Sequence, residues 1–170
     1  MSACVTLRPK IPMPHYTCVP HVAAIGICDA CSDLRIWWPH AICDEAHVRR
    51  LEIVARAGYD GEGTFCTVSL EGSIAVTDEM VDSIARRVGE WEEAVRAHPR
   101  QAPLTSVLEA YVDAQALLGE PVCACYPNGV VALAGTFVGI DVWGRATVRV
   151  DGGTDVEFGP ERYQLVPSSR

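Results

Sequence analysis

Residues 34–42 read LRIWWPHAI, a short stretch in which a strand runs into a rigid stop. Apolar side chains alternate with a polar one at its start, which predicts a β-strand. Pro39 ends the strand, because proline has no backbone N–H to donate to a sheet. Trp37 and Trp38 are adjacent, so on a strand their indoles point to opposite faces. The flanking sequence indicates what these two bulky rings enclose.

A helix is predicted before this strand and a hairpin after it. Apolar residues recur at helical spacing around Pro20, which suits a first helical turn, and they predict a helix over residues 20–32. The runs 49–59 and 64–72 flank DGEG at 60–63, a turn composition, and therefore predict an antiparallel hairpin. The helix can cover one face of the resulting sheet.

Two more helices are predicted downstream. The Thr77 hydroxyl can cap a helix whose first turn is acidic, and this helix ends at His98-Pro99. Ser106 and Glu109 have the spacing of a capping box, which predicts a second helix that ends at Gly119.

The composition changes after this second helix. From Glu120 onward, five short β-branched stretches are separated by turns, a pattern that predicts a small, strongly bent barrel. We therefore predict two domains, residues 1–118 and residues 119–170.

Charge and hydropathy limit the classes of partner and compartment. The net charge is −8 and Lys10 is the only lysine in the sequence, which argues against nucleic-acid binding and against attraction to anionic lipid. No run approaches the roughly 20 apolar residues of a membrane helix, and the first residues do not resemble a signal peptide. We expect a cytoplasmic protein with no nucleic-acid or membrane partner.

The eight cysteines raise the possibility of a metal site. In a chain without an export signal they are expected to be reduced thiols. The candidate zinc ligands are weak: Cys28, Cys31, His40 and Cys43. A second Cys-x-x-Cys pair is missing, so we predict no metal. The alternative is that Cys28 and Cys31 are small apolar residues on one helix face.

Several stretches, taken in order, resemble the biotin protein ligases. The segments LLGEPV (117–122), AGTFVGIDVWGRATVRVDGG (134–153) and FGPERYQLV (158–166) resemble the family's C-terminal barrel. Upstream, LRIWWPHAI is similar to the family's Lys-Trp-Pro-Asn-Asp strand, with Trp38 and Pro39 matching. The resemblance is colinear over nearly the whole chain. It implies an α+β fold, a mixed sheet with packed helices followed by a small SH3-like β-barrel.

The resemblance also implies a chemistry and shows where this chain departs from it. Such ligases join biotin to the α-phosphate of ATP and then pass the biotinyl group to a lysine of a carrier protein. Preorganised cations that hold the two anions together are the main catalytic device. Here Trp37 replaces the motif's lysine, and His40 and Ala41 replace its asparagine and aspartate. The family's Gly- and Arg-rich adenylate loop would precede residue 1, so we expect this chain to lack it.

The family's second lysine-bearing strand aligns with Arg49 and Arg50, which are either replacement cations or a solvated face. His40 is either a pocket residue or a loop residue that is hydrogen-bonded locally. We expect one tryptophan to fill the core and the other to plug the ancestral biotin pocket. The candidate pocket residues are Trp37, Trp38, His40, Arg49 and Arg50. No catalytic residue and no resident cofactor are predicted, although the resemblance suggests biotin and ATP as ligands.

Two functions remain open from the sequence. The first is a pseudoenzyme that keeps the ligase scaffold as a binding or assembly module. The second is a residual or split biotin or lipoate ligase, which acts on a carrier domain and obtains its missing loop from a complementary chain. We also predict a homodimer formed through the edge of the hairpin 49–72, the alternative being a monomer whose edge is protected by Arg49, Arg50 and Arg56.

Overall fold

The computed structural model describes residues 2–168, whose strands form two five-stranded antiparallel sheets. The first sheet contains β1 Ser2–Leu7, β2 Leu34–Trp37, β3 Ala41–Asp44, β4 Arg49–Asp60 and β5 Gly63–Gly72, which lie side by side in the order β1-β5-β4-β3-β2. The second contains β6 Pro121–Cys125, β7 Val131–Ile140, β8 Ala146–Arg149, β9 Asp155–Phe158 and β10 Gln164–Pro167, in the order β10-β6-β7-β8-β9. The helices are a 3-10 helix at Met13–Cys18, α1 Val19–Ala30, α2 Asp78–Ala97 and α3 Leu108–Asp113. The fold is α+β, as predicted.

The predicted hairpin is confirmed as β4 and β5, which pair from Leu51↔Gly72 to Asp60↔Gly63. Alternate residues such as Ile53 and Val68 are buried, as expected when one face of a sheet packs on a core. Helix α1 contacts both strands of the hairpin. The first predicted helix is therefore confirmed, with bounds within two residues of those expected.

Helix α2 packs closely against α1. A Cβ added at Gly26 would lie 2.8 Å from the Ile84 Cα, so glycine is required for this approach of the two backbones. The Thr77 hydroxyl accepts a hydrogen bond from the Met80 N–H at 3.2 Å, and the helix ends before His98. The predicted cap and end of this helix are both confirmed.

The second predicted helix is much shorter than expected. Helix α3 is preceded by Val107, which gives no side-chain cap, so the capping box assigned to Ser106 is wrong. After α3 the chain leaves the helix to pair with β2: the Ile36 N–H donates to Ala114 at 2.8 Å, and the Ala116 N–H donates to Ile36 at 2.9 Å. Backbone pairing with a sheet edge prevails here over local helix propensity.

The C-terminal region has the five strands predicted, but they form an open sheet. The order of the strands places β10 and β9 at its two sides, and within residues 2–168 these strands do not pair with each other. Closure of a barrel requires such a pair, so the SH3-like barrel is not confirmed. One hydrophobic core contains residues of both sheets, including Ile36 and Phe137. The division at residue 119 stays a prediction.

The hairpin that was expected to provide a dimer edge lies inside the first sheet. Strand β5 pairs with β1 over Cys66–Glu71, and β4 pairs with β3 at Arg49 and Leu51. Only the part of β4 beyond Leu51 therefore remains as a strand edge through which a dimer could form. The homodimer itself stays a prediction.

Among residues 2–168, no helix combines the length and the hydropathy needed to span a membrane.

Candidate functional site

The two adjacent tryptophans attach the first sheet to the second. The Trp37 indole N–H donates to the Leu165 carbonyl in β10 at 2.7 Å, and the Trp38 indole N–H donates to the Gly144 carbonyl at 3.0 Å. Trp37 is 7% exposed and Trp38 is 0% exposed. Both indoles therefore combine apolar burial with a satisfied polar group, as buried tryptophans usually do. Both rings lie at the junction of the two sheets, and the expectation that one of them plugs an ancestral biotin pocket stays a prediction.

The two predicted replacement cations have local partners. The Arg49 guanidinium lies over the Trp37 ring at 4.7 Å and also donates to Gln164 at 3.3 Å. The Arg50 guanidinium donates to one Asp44 oxygen at 2.8 and 2.5 Å. Hydrogen bonds from the Val48 N–H and from Arg50 hold the pKa of Asp44 below its usual value. Arg49 and Arg50 thus stabilise the fold around β4.

A cavity of about 440 Å³ opens where the start of α1 meets the turn between β7 and β8. It is lined by Thr17, Cys18, His21, His40, Trp143, Arg145, Pro160 and Glu161. Of the five pocket candidates named from the sequence, only His40 lines it. The structure separates the other four from this cavity.

Two histidines, the buried His21 and the partly buried His40, form the floor of the cavity. His21 is 3% exposed, and its ring lies 5.4 Å from the His40 ring in an edge-to-face arrangement. Among the described residues, three ring nitrogens have no hydrogen-bond partner: both nitrogens of His21 and the Nδ1 of His40. Tyr111 packs edge-on against His21, and its hydroxyl donates to the Pro39 carbonyl.

Both histidines are neutral at pH 7. Burial, followed by the nearby His40, lowers the pKa of His21 to about 3. The Thr17 carbonyl opposes this shift but does not reach hydrogen-bond geometry with the ring. Burial lowers the pKa of His40 to about 4, partly opposed by the Ile53 backbone. Each ring can therefore donate one hydrogen bond and accept another.

Cys18 lines the same cavity, and its thiol is protonated. Cys18 is 2% exposed, and burial raises the pKa of its thiol to about 11. The thiolate is the reactive form of cysteine, so this residue is a poor nucleophile in this environment.

The mouth of the cavity carries charges of both signs. Arg145 lies 2.6 Å from Asp141 and 3.1 Å from Glu157. Glu161 adds a carboxylate to the lining and interacts electrostatically with Arg145. Trp143 is 51% exposed and forms an apolar wall at the opening.

The turn at Asp141–Arg145 fixes the second sheet against the floor. Gly144 has a φ of +81°, and a Cβ there would lie 2.9 Å from the His21 Nε2. One Asp141 oxygen accepts the N–H groups of Trp143 and Arg145, each at 2.9 Å. This turn lies within segment 134–153, which resembles the C-terminal barrel of the biotin protein ligases, whereas His21 was not among the residues named from the sequence because its neighbours His40 and Gly144 are distant in sequence.

The weak metal candidates are not brought together. Within residues 2–168, no three His, Cys, Asp or Glu side chains form a group that could hold a metal ion. Cys28 lies on α1, where burial raises the pKa of its thiol to about 12, and Cys31 follows the end of that helix. Cys28 therefore fits the alternative of a small apolar residue on a helix face, whereas Cys31 does not share that helix face.

Solved structures identify the architecture. The chain superimposes on biotin protein ligase from Aquifex aeolicus with a TM-score of 0.69 and 13% identity, covering 98% of this chain and 82% of the ligase. The fold is that of the biotin protein ligases. The complex of the Aquifex ligase with biotin and ATP gives a TM-score of 0.67 at 13% identity, covering 98% and 78% of the two chains. The biotin acetyl coenzyme A carboxylase synthetase from Helicobacter pylori, with bound biotinylated ATP, gives 0.50 at 11% identity, covering 92% and 74%.

Sequence comparison adds no closer relationship, because no protein-family model and no curated protein matches this chain. At 11–13% identity the likeness establishes the fold alone. Whether the ligase chemistry is retained has to be argued from the residues of the site.

Proposed function

We propose that this chain is a protein of biotin protein ligase fold that does not form biotinyl-adenylate by itself and acts as a binding or assembly module. The observation that carries the proposal is the position of Trp37. Its side chain stands where the resembling motif has a lysine, is 7% exposed and donates its only N–H to Leu165. This position therefore supplies no cation to a ligand.

The other cations of the resembling site do not replace that lysine. Formation of an acyl-adenylate brings a carboxylate and a triphosphate together, and negative charge develops on the phosphate. Arg49 stacks on the indole of Trp37, and Arg50 is paired with Asp44. Recruiting either guanidinium to a phosphate requires breaking contacts that hold β4 to its neighbours.

The junction cavity supports binding more readily than adenylation. Its floor presents two uncharged imidazoles, and its mouth has Glu161 beside the paired Arg145. The lining holds one arginine beside one carboxylate, so it offers no cluster of cations to hold a triphosphate.

The experiment that tests the proposal measures pyrophosphate release by the purified chain in the presence of biotin, ATP and Mg²⁺, with an active biotin protein ligase as positive control. We expect no release above the level measured without biotin. Biotin-dependent release that is lost in an Arg49→Ala/Arg50→Ala double variant would overturn the proposal and would favour a residual ligase.

A further inference from the structure

The junction cavity has the size of a small-molecule site. Its volume of about 440 Å³ falls in the range of natural ligand pockets, roughly 300–1,000 Å³. An apolar cavity of about 150 Å³ is enough to hold benzene. The junction cavity can therefore hold a bicyclic ring.

The floor of the cavity presents uncharged and largely apolar surface. Both ring nitrogens of His21 are buried, so this residue contributes ring carbon to the lining. The Thr17 hydroxyl donates to the Pro14 carbonyl at 2.9 Å, and burial raises the pKa of the Cys18 thiol so that it stays protonated. Polar ligand atoms that lose their hydration against such a floor are not compensated. The floor thus favours ligand atoms that need no hydrogen bond.

The charges at the mouth already have partners within the chain. Arg145 lies 2.6 Å from Asp141 and 3.1 Å from Glu157, and it also interacts electrostatically with Glu161. A charged ligand that enters the cavity has to displace one of these partners or lose its hydration without a counterion. An uncharged ligand does neither.

Trp143 provides an aromatic wall at the opening. Its side chain lines the cavity and is 51% exposed. The Trp143 backbone N–H donates to Asp141 at 2.9 Å, so the turn fixes the position of the residue. Aromatic rings pack on an indole in offset or edge-to-face arrangements, which stabilise the contact beyond the area that they bury.

We infer that the cavity binds an uncharged bicyclic aromatic compound of the size of indole, whose ring packs against Trp143 above the apolar floor. The inference rests on the proposed binding function and names the ligand class. Burial of the ring's apolar surface supplies the affinity, and Trp143 selects an aromatic ring over an aliphatic one.

The test is a calorimetric titration of the full chain with indole and with indole-2-carboxylate, which has the same ring system and a negative charge at neutral pH. Indole is expected to bind saturably, one to one, with a dissociation constant at or below about 1 mM. The carboxylate is expected to bind at least about tenfold more weakly, because Arg145 is already engaged. Chemical-shift changes at His21 and Trp143 locate the site.

Variants of two exposed or half-exposed lining residues test the position of the ring. Trp143→Leu is expected to weaken indole binding about five- to tenfold, whereas Trp143→Phe keeps an aromatic wall and stays within about threefold of the unaltered chain. Thr17→Phe places a ring in the cavity from an exposed position and is expected to abolish saturable binding. Tyr59→Ala is the matched control, because this aromatic side chain is 81% exposed and lies outside the lining. Unfolding temperatures of all four variants check their folding.

Absence of saturable indole binding at millimolar concentration, or equal binding of the carboxylate, would overturn the inference. So would affinity that Trp143→Leu and Thr17→Phe leave unchanged. These outcomes are independent of the adenylation assay: a chain that releases pyrophosphate refutes the proposed function, whereas a chain that releases none and does not bind indole refutes only this inference.

Discussion

Replacing Trp37 by alanine tests the structural basis of the proposed function. The indole is 7% exposed, its N–H donates to Leu165 at 2.7 Å, and Arg49 stacks on its ring at 4.7 Å. Deleting a buried indole usually costs about 3–5 kcal/mol. We place Trp37→Ala in the upper half of that range, because the hydrogen bond between the two sheets is lost together with the packing.

Urea unfolding followed by circular dichroism at pH 7 measures this change in the free energy of unfolding. Trp37→Phe keeps much of the ring but removes the donor, and it is expected to cost about 1–2 kcal/mol. Trp143→Ala is the matched control: this tryptophan is 51% exposed, and its loss is expected to change stability by less than about 0.5 kcal/mol. A cost below about 1 kcal/mol for Trp37→Ala would show that the ring does not hold the sheets together.

Three more predictions follow from the fold. Burial lowers the pKa of His21 and of His40 to about 3 and about 4, so the unfolded chain binds more protons than the folded chain below pH 6.5. Stability is therefore expected to fall by about 3 kcal/mol as the pH drops from 6.5 to 5; urea midpoints that stay constant over this interval would contradict the burial of neutral rings. Gly144→Ala is expected to lower the unfolding temperature by several degrees, because the new Cβ would lie 2.9 Å from the His21 Nε2 at a φ of +81°; an unchanged melting curve would contradict that close approach. A homodimer is expected in sedimentation at micromolar concentration, formed through the free part of β4 beyond Leu51, and a single monomeric species would end that expectation.

Local patterns predicted the elements whose partners lie nearby in sequence. The Thr77 cap, the end of α2 at His98 and the hairpin around residues 60–63 each depend on neighbouring residues, and all three are confirmed. Hydrogen bonding and side-chain alternation within one segment carry enough information for such elements.

The predictions that failed depend on contacts between distant segments. The segment after α3 was assigned to a longer helix, yet Ala114 and Ala116 pair with Ile36 at the edge of the first sheet. The hydrogen bond from Trp37 to Leu165 in the last strand likewise could not be predicted from local patterns. His21 gave no signal in the sequence, because its position in a site depends on contacts with residues far along the chain.

We propose that this chain has lost the two-anion site of a biotin protein ligase, because an indole bonded to the second sheet stands where the resembling motif has a lysine. Isothermal titration of the chain with biotinyl-adenylate tests this claim directly, because that compound carries both halves of the site's ligand in one molecule. We predict no saturable heat at micromolar concentration. Saturable one-to-one binding that an Arg49→Ala/Arg50→Ala double variant abolishes would contradict the claim.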